Sequence, residues 1–107
     1  MPIQIAEGTS QIGYLAPPNT AGKTSAITAS TTVQQFPVPP NQPLRRTLMI
    51  QNNGSVGVYV GFTGAVSSST GVLIAAGTSL IFDVGDQIDT YIVAASSTAA
   101  CIALELS

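Results

Sequence analysis

Between residues 56 and 62 the chain alternates strictly, with Val56, Val58, Val60 and Phe62 separated by Gly57, Tyr59 and Gly61. Period two sends the first set to one face of a β-strand and the second set to the other. A helix would scatter the same four apolar side chains around its circumference. The run therefore predicts a half-buried strand, and with it a sheet that must be covered on one face. The glycines beside Tyr59 would let another backbone or a partner approach the outer face closely.

Similar short runs recur along the chain. Residues 24–28 and 31–38 are rich in Thr and Val, and Pro37, Pro39, Pro40 and Pro43 close the second run as an edge segment or loop. Residues 44–51 resume as a strand with Leu48 and Ile50 on one face. Asn52-Asn53-Gly54-Ser55 suits the left-handed backbone of a type I′ hairpin turn. Residues 64–71 form a Ser/Thr/Gly loop, 72–75 a short strand, and Ala76-Gly77-Thr78 a turn. Leu80, Phe82 and Val84 then face inward, and 85–89 is an acidic loop. Residues 91–95 and 100–106 complete the pattern as a hairpin through Ser96-Ser97-Thr98. In its last strand Ile102, Leu104 and Leu106 are expected inside, with Cys101 and Glu105 outside.

Short strands every ten residues or so, with no helical period, define an all-β sandwich or barrel, and a jelly-roll-like sandwich is the expected architecture. Residues 1–22 lack sustained periodicity and contain Pro17-Pro18-Asn19, which breaks any regular element. They read as an extended N-terminal arm, with one short strand at 3–5, ahead of a β-sandwich domain over 23–107.

Composition narrows the function. A chain of 107 residues supports one modest core, marginal unless something supplements it. With one cysteine and no histidine, an internal disulfide and a Cys/His zinc site are both out of reach, so oligomerisation is the supplement left. Charged residues make up 7% of the chain, against about 25% in an ordinary domain. Three cations, Lys23, Arg45 and Arg46, are too few to hold a nucleic-acid backbone. At 45% hydrophobic residues the low charge is not a mark of disorder. Uncharged polar surface is cheaper to cover with a partner than charged surface, so the composition fits a protein that works largely covered. The apolar runs are strand-length, shorter than a membrane-spanning helix, and no segment reads as a targeting signal, which points to synthesis and assembly in a reducing cytoplasm.

Motifs for chemistry are weak. Gly22-Lys23-Thr24 resembles the end of a phosphate-binding loop, but Pro17 stands where that loop needs glycine. Asp83, Asp86 and Asp89 bracket Gly85 without the spacing of a calcium loop, so a solvated acidic turn is expected. Without histidine no Ser-His or Cys-His pair can form, and Cys101 is expected to be an unactivated thiol. Neither an enzyme nor a cofactor is indicated. Arg45-Arg46 is the one cationic cluster, suited to grip acidic groups on a neighbour or to protect a strand edge. Together with Tyr59 and with Ile3, Ile5 and Tyr14 of the arm, the two arginines are the candidate partner-contacting residues.

The stretches RRTLMIQNNGSVGVYVGF, GVLIAAGTSLIFDV and YIVAASSTAACIALEL resemble small bacteriophage virion proteins of the capsid decoration, or cement, type. The similarity spans residues 31–107 and leaves the arm outside it. It implies a structural protein on the capsid exterior that binds the major capsid protein, often as a small homo-oligomer such as a dimer or trimer. Such proteins bridge neighbouring capsomers, so many modest contacts together resist opening of the shell. Other virion roles fit the same pattern, among them a head–tail connector, a tail component or a fibre component. A carbohydrate- or ligand-binding β-sandwich is the rival of a different class; it would need an aromatic platform, whereas Tyr14, Tyr59 and Tyr91 are scattered.

Overall fold

A computed structural model describes residues 21–107 of the chain. The expected strand at 3–5 and the contact residues Ile3, Ile5 and Tyr14 lie outside the described residues. The described residues form eight strands and no helix. In chain order these are β1 (Gly22–Ala29), β2 (Gln34–Gln35), β3 (Thr47–Asn52), β4 (Val58–Gly61), β5 (Val72–Ile74), β6 (Ser79–Asp83), β7 (Tyr91–Ala94) and β8 (Ala99–Leu106). Gly22 already pairs with Leu106, so the sheet begins one residue before the boundary that composition suggests.

Two four-stranded antiparallel sheets pack face to face, one in the order β1-β8-β3-β6 and the other β2-β7-β4-β5. The pairs β1·β8, β2·β7, β3·β6 and β4·β5 are nested, as if one long hairpin had been folded at the β4–β5 turn and then rolled up. That is the jelly roll. The inner faces enclose Phe36, Leu48, Ile50, Val58, Ile74 and Ile92, each at most 2% exposed. Each such side chain contributes roughly 1.5–3 kcal/mol by leaving water.

Rolling overturns the hairpin expectations. Consecutive strands lie in the same sheet at β4–β5; every other connection crosses between sheets. Asn52-Asn53-Gly54-Ser55 and Ser96-Ser97-Thr98 are thus corners of the sandwich and not hairpin turns. Neither Asn53 nor Gly54 has positive φ; in the second corner Ser97 does, at 44°. At the first corner the buried Asn52 amide donates to the carbonyls of Val56 at 2.8 Å and Ile74 at 3.0 Å, and its Oδ1 accepts from Gly54 N. Gly54 passes so close to Ala99 that a Cβ there would stand 2.6 Å from the alanine Cβ. Packing, rather than a left-handed turn, requires this glycine.

The last strand is also turned over relative to expectation. Ala99, Cys101, Ala103 and Glu105 face the core, while Leu104 and Leu106 are each 40% exposed. Opposite Ala103 stand Ile50 and Ser25, so the interior at this level is already filled from β3 and needs small residues from β8. Leu104→Ser is expected to change stability by less than about 0.5 kcal/mol, as for other exposed positions. Ala103→Leu should cost about 1–3 kcal/mol by overpacking. Urea unfolding of the two variants in dilute solution checks the assignment.

Candidate interaction surface

The charged residues nearest the β1–β8–β3 end form an internal knot. Arg45 is 2% exposed and Glu105 is fully buried. Arg45 Nη1 donates to Glu105 Oε2 at 2.7 Å, Nε donates to Val84 O, and Nη2 donates to Gly85 O and Ile88 O. Gln42 N donates to the same Glu105 oxygen at 3.0 Å. Lys23 donates to the carbonyls of Val38 and Pro40 and stands 4.0 Å from Glu105 Oε1. One carboxylate on β8 thereby holds the proline-rich segment, the start of β3 and the 84–88 loop together.

This corrects the reading of Arg45 as a partner anchor. It does take a carboxylate, but within its own chain, because a buried guanidinium has to be neutralised where it sits. Arg46 is half-buried; its N–H donates to Leu106 O at 2.8 Å and its carbonyl accepts from Val84 N. Lys23 likewise belongs to strand β1 and is engaged with carbonyls.

The acidic loop is tied down as well. Asp86 Oδ2 accepts from Leu44 N, Asp89 Oδ1 accepts from the Asn41 amide, and Asp83 Oδ1 accepts from Thr47 Oγ1. Among the described residues no cluster has the makings of a metal site. The Cys101 thiol, expected on the surface, is 1% exposed, and burial raises its pKa above the ordinary 9.0. Because the folded state holds that proton more tightly, this contribution is complete at neutral pH and fades as pH rises past the unfolded thiol's range. A thiol reagent at pH 8 should therefore label Cys101 at the rate of unfolding; rapid labelling of folded protein would contradict its placement.

The outer faces of the two sheets differ. On the β2-β7-β4-β5 sheet the 62–71 loop folds back, and Val66, 5% exposed, seats against Gly61 and Gly71. A Cβ on either glycine would fall 2.8 Å from Val66 Cγ2. The close approach expected at Gly57 and Gly61 is thus made by the chain itself, through Leu73 at the first and Val66 at the second. Tyr59 is half-buried there and lines a small cleft with Val66, Ser67 and Val93.

On the other sheet, residues paired across the strands make a continuous outward row: Thr24, Leu104, Met49 and Ile81. Ala26, Ile102, Gln51 and Ser79 lie on one side of it, and Gly22, Leu106, Thr47 and Asp83 on the other. Ile81 is 65% exposed. Asp83 is the one charged group on these twelve positions. The inverted phase of β8 is what places Ile102, Leu104 and Leu106 here, and alternation alone gave no sign of it.

A second apolar feature opens where β4 and β5 meet β6. Phe62, Phe82, Val60, Val72 and Leu80 line a groove of about 380 Å³, with the two phenyl rings edge to face at 6.3 Å. Phe62 is 58% exposed rather than buried with Val58 and Val60, because β4 ends at Gly61.

These features define a jelly-roll β-sandwich with an internally neutralised charge cluster and, on the β1-β8-β3-β6 sheet, an outer face whose one charged group is Asp83. No family model matches the chain, and no curated protein matches it. Among solved structures it is similar to a chain described under "Bacillus endospore appendages form a novel family of disulfide-linked pili", at 17% identity and a TM-score of 0.43, over 91% of this chain and 97% of that one. The fold assignment rests on the strand order itself.

Proposed function

We propose that this chain is a structural subunit of a virion, a decoration protein that binds the major capsid protein on the capsid exterior and stabilises the shell. The observation that carries the reading is the largely apolar outer face of the β1-β8-β3-β6 sheet, with Asp83 its one charged group, on a domain with few charges overall. Such a face costs little to desolvate, as the centre of a protein interface requires. The likeness of residues 31–107 to small phage virion proteins supplies the virion context. Binding free energy, repeated over a symmetric shell, is the whole of the mechanism: each contact adds a modest barrier to separating capsomers. Residues 1–20, with Ile3, Ile5 and Tyr14, contribute to docking rather than to the fold.

Titration of isolated shells tests this. The full chain should saturate them at a fixed ratio of many copies and raise their disruption temperature. A chain beginning at Ala21 should keep its own Tm and bind more weakly. A ratio of a dozen copies or fewer would favour a connector or tail role. The Phe62–Phe82 groove favours a second reading, a module for an apolar ligand, which predicts binding of small apolar probes blocked by Leu80→Trp.

A further inference from the structure

Among the described residues each sheet ends in two open strands, and the four open edges differ. β2 is two residues long and runs into Pro37, β5 has three residues, and β6 carries Asp83. β1 has none of these guards against edge pairing. It pairs with β8 without a bulge over its whole length, holds no proline, and turns its one charge, Lys23, away to the carbonyls of Val38 and Pro40. Ser107 N donates to Ala21 O, one step beyond the Gly22–Leu106 pair, so residues 21 and 107 are a hydrogen-bonded pair. Such pairs alternate with non-bonded ones along an antiparallel ladder. Lys23, Ser25, Ile27 and Ala29 therefore bond to β8, and Gly22, Thr24, Ala26 and Thr28 aim their N–H and C=O groups at the open edge. The edge ends after Ala29, where Ser30 O accepts from Ala94 N of the other sheet. Inside the same strand a hydroxyl is left over: Ser25 is 7% exposed, and among the described residues its Oγ has no hydrogen-bond partner. A buried polar group in that position costs stability until something bonds to it.

We infer that two copies of this chain join edge to edge through β1, antiparallel about a two-fold axis at Ser25, so that their β1-β8-β3-β6 sheets run on as one. One register uses every open group. With Ser25 opposite Ser25 of the second copy, Gly22 meets Thr28 and Thr24 meets Ala26, each pair exchanging both N–H···O bonds. A slip of two residues strands Gly22 or Thr28, and a slip of one sets the open residues against residues already bonded to β8. The matched register also brings the two Ser25 side chains together as a non-hydrogen-bonded pair, about 4.5 Å apart at Cα. There each orphaned hydroxyl finds the other. Lys23 falls opposite Ile27, so no like charges meet. Another extended strand would satisfy the main chain equally, but the Ser25 hydroxyl at the axis selects the chain's own. The contact is narrow; its affinity comes from main-chain bonds rather than area, which makes it a weak, reversible pairing. It leaves the outer face of the sheet open, so it goes beyond shell binding without competing with it.

Sedimentation equilibrium of the full chain from 1 to 500 µM, with hydrogen exchange on the same samples, tests the inference. The expected result is a monomer–dimer equilibrium in which the amides of Thr24, Ala26 and Thr28 gain at least tenfold protection on pairing. Ala26→Pro removes an outward N–H and no bond to β8, so it should abolish the dimer and leave a folded domain with nearly unchanged Tm. Ile81→Pro, which removes an outward N–H from the β6 edge, should leave the dimer intact. Ser25→Cys should give a disulfide-linked dimer on mild oxidation, because the spacing at the axis suits that bond. Thr24→Cys, which meets Ala26, should not, and the chain's own Cys101 is buried. A full chain that stays monomeric at 500 µM overturns the inference, as does a dimer that survives Ala26→Pro. Equal crosslinking of Thr24→Cys and Ser25→Cys overturns it too. Protection of Thr24, Ala26 and Thr28 already in the monomer would mean that residues 1–20 pair with this edge, which also overturns it. If Ala26→Pro lowers the Tm, the two cysteine variants decide alone. Shell titration is read separately: a monomer that saturates shells refutes the pairing and leaves the decoration role standing, and a dimer that ignores shells does the reverse.

Discussion

Glu105→Ala is expected to destabilise the domain by about 3–5 kcal/mol, the usual cost of stranding one partner of a buried ion pair. Arg45 would keep its three carbonyl contacts but lose the one anion within reach of its buried guanidinium. Gln42 N would lose its acceptor at the same time. Against a total stability of roughly 5–15 kcal/mol, such a loss leaves little. Urea unfolding should show a much lower midpoint with little change in slope. The double variant Arg45→Met/Glu105→Leu removes both charges and should recover most of the loss, since a buried pair is often no better than well-packed apolar residues. A loss below about 1 kcal/mol in Glu105→Ala would mean that the carboxylate is solvated and the knot is not closed.

Asn52→Ala is the second large effect, at about 2–4 kcal/mol, because it strands several buried polar groups at once. The Asn52 side chain is fully buried and joins three places: the corner at Gly54, the carbonyl of Val56 and the carbonyl of Ile74 in the other sheet. Its backbone completes the joint, with Asn52 N donating to Thr78 O and Gly77 N donating to Asn52 O. Asn52→Asp should be at least as damaging, since a carboxylate offers no donor to two carbonyls. Equilibrium unfolding of both variants, with hydrogen exchange at Gly54 and Gly77, checks the claim. Wild-type protection at these amides in Asn52→Ala would contradict it.

Much of the fold was legible because period two survives short windows. Leu48 and Ile50, Val58 and Val60, and Leu80 with Phe82 all face where alternation puts them, and the strands fall close to their expected spans. What alternation does not carry is partnership. A strand pattern followed by Asn-Gly reads the same whether the chain returns in the same sheet or crosses to the other, because that choice is made by contacts distant in sequence. The phase of β8 was misread for a related reason: Glu105 faces inward because Arg45, sixty residues earlier, neutralises it there. The same pairing took Arg45 out of the candidate contact surface. Gly57 and Gly61 marked a close approach correctly, but the approaching groups are Leu73 and Val66 of the same chain.

The architecture and the surface support a single physical idea. Arg45 and Glu105 are drawn inward and paired, two carboxylates of the acidic loop fasten the proline-rich segment, and a sheet face with Asp83 as its one charged group is left outward. A domain built this way presents a partner with a surface that costs little to desolvate. The most direct test is the mass of the purified chain by light scattering, alone and after mixing with isolated capsid shells. A decoration role predicts saturation at a fixed ratio of many copies per shell, whereas a protein that remains free in the presence of shells would contradict it.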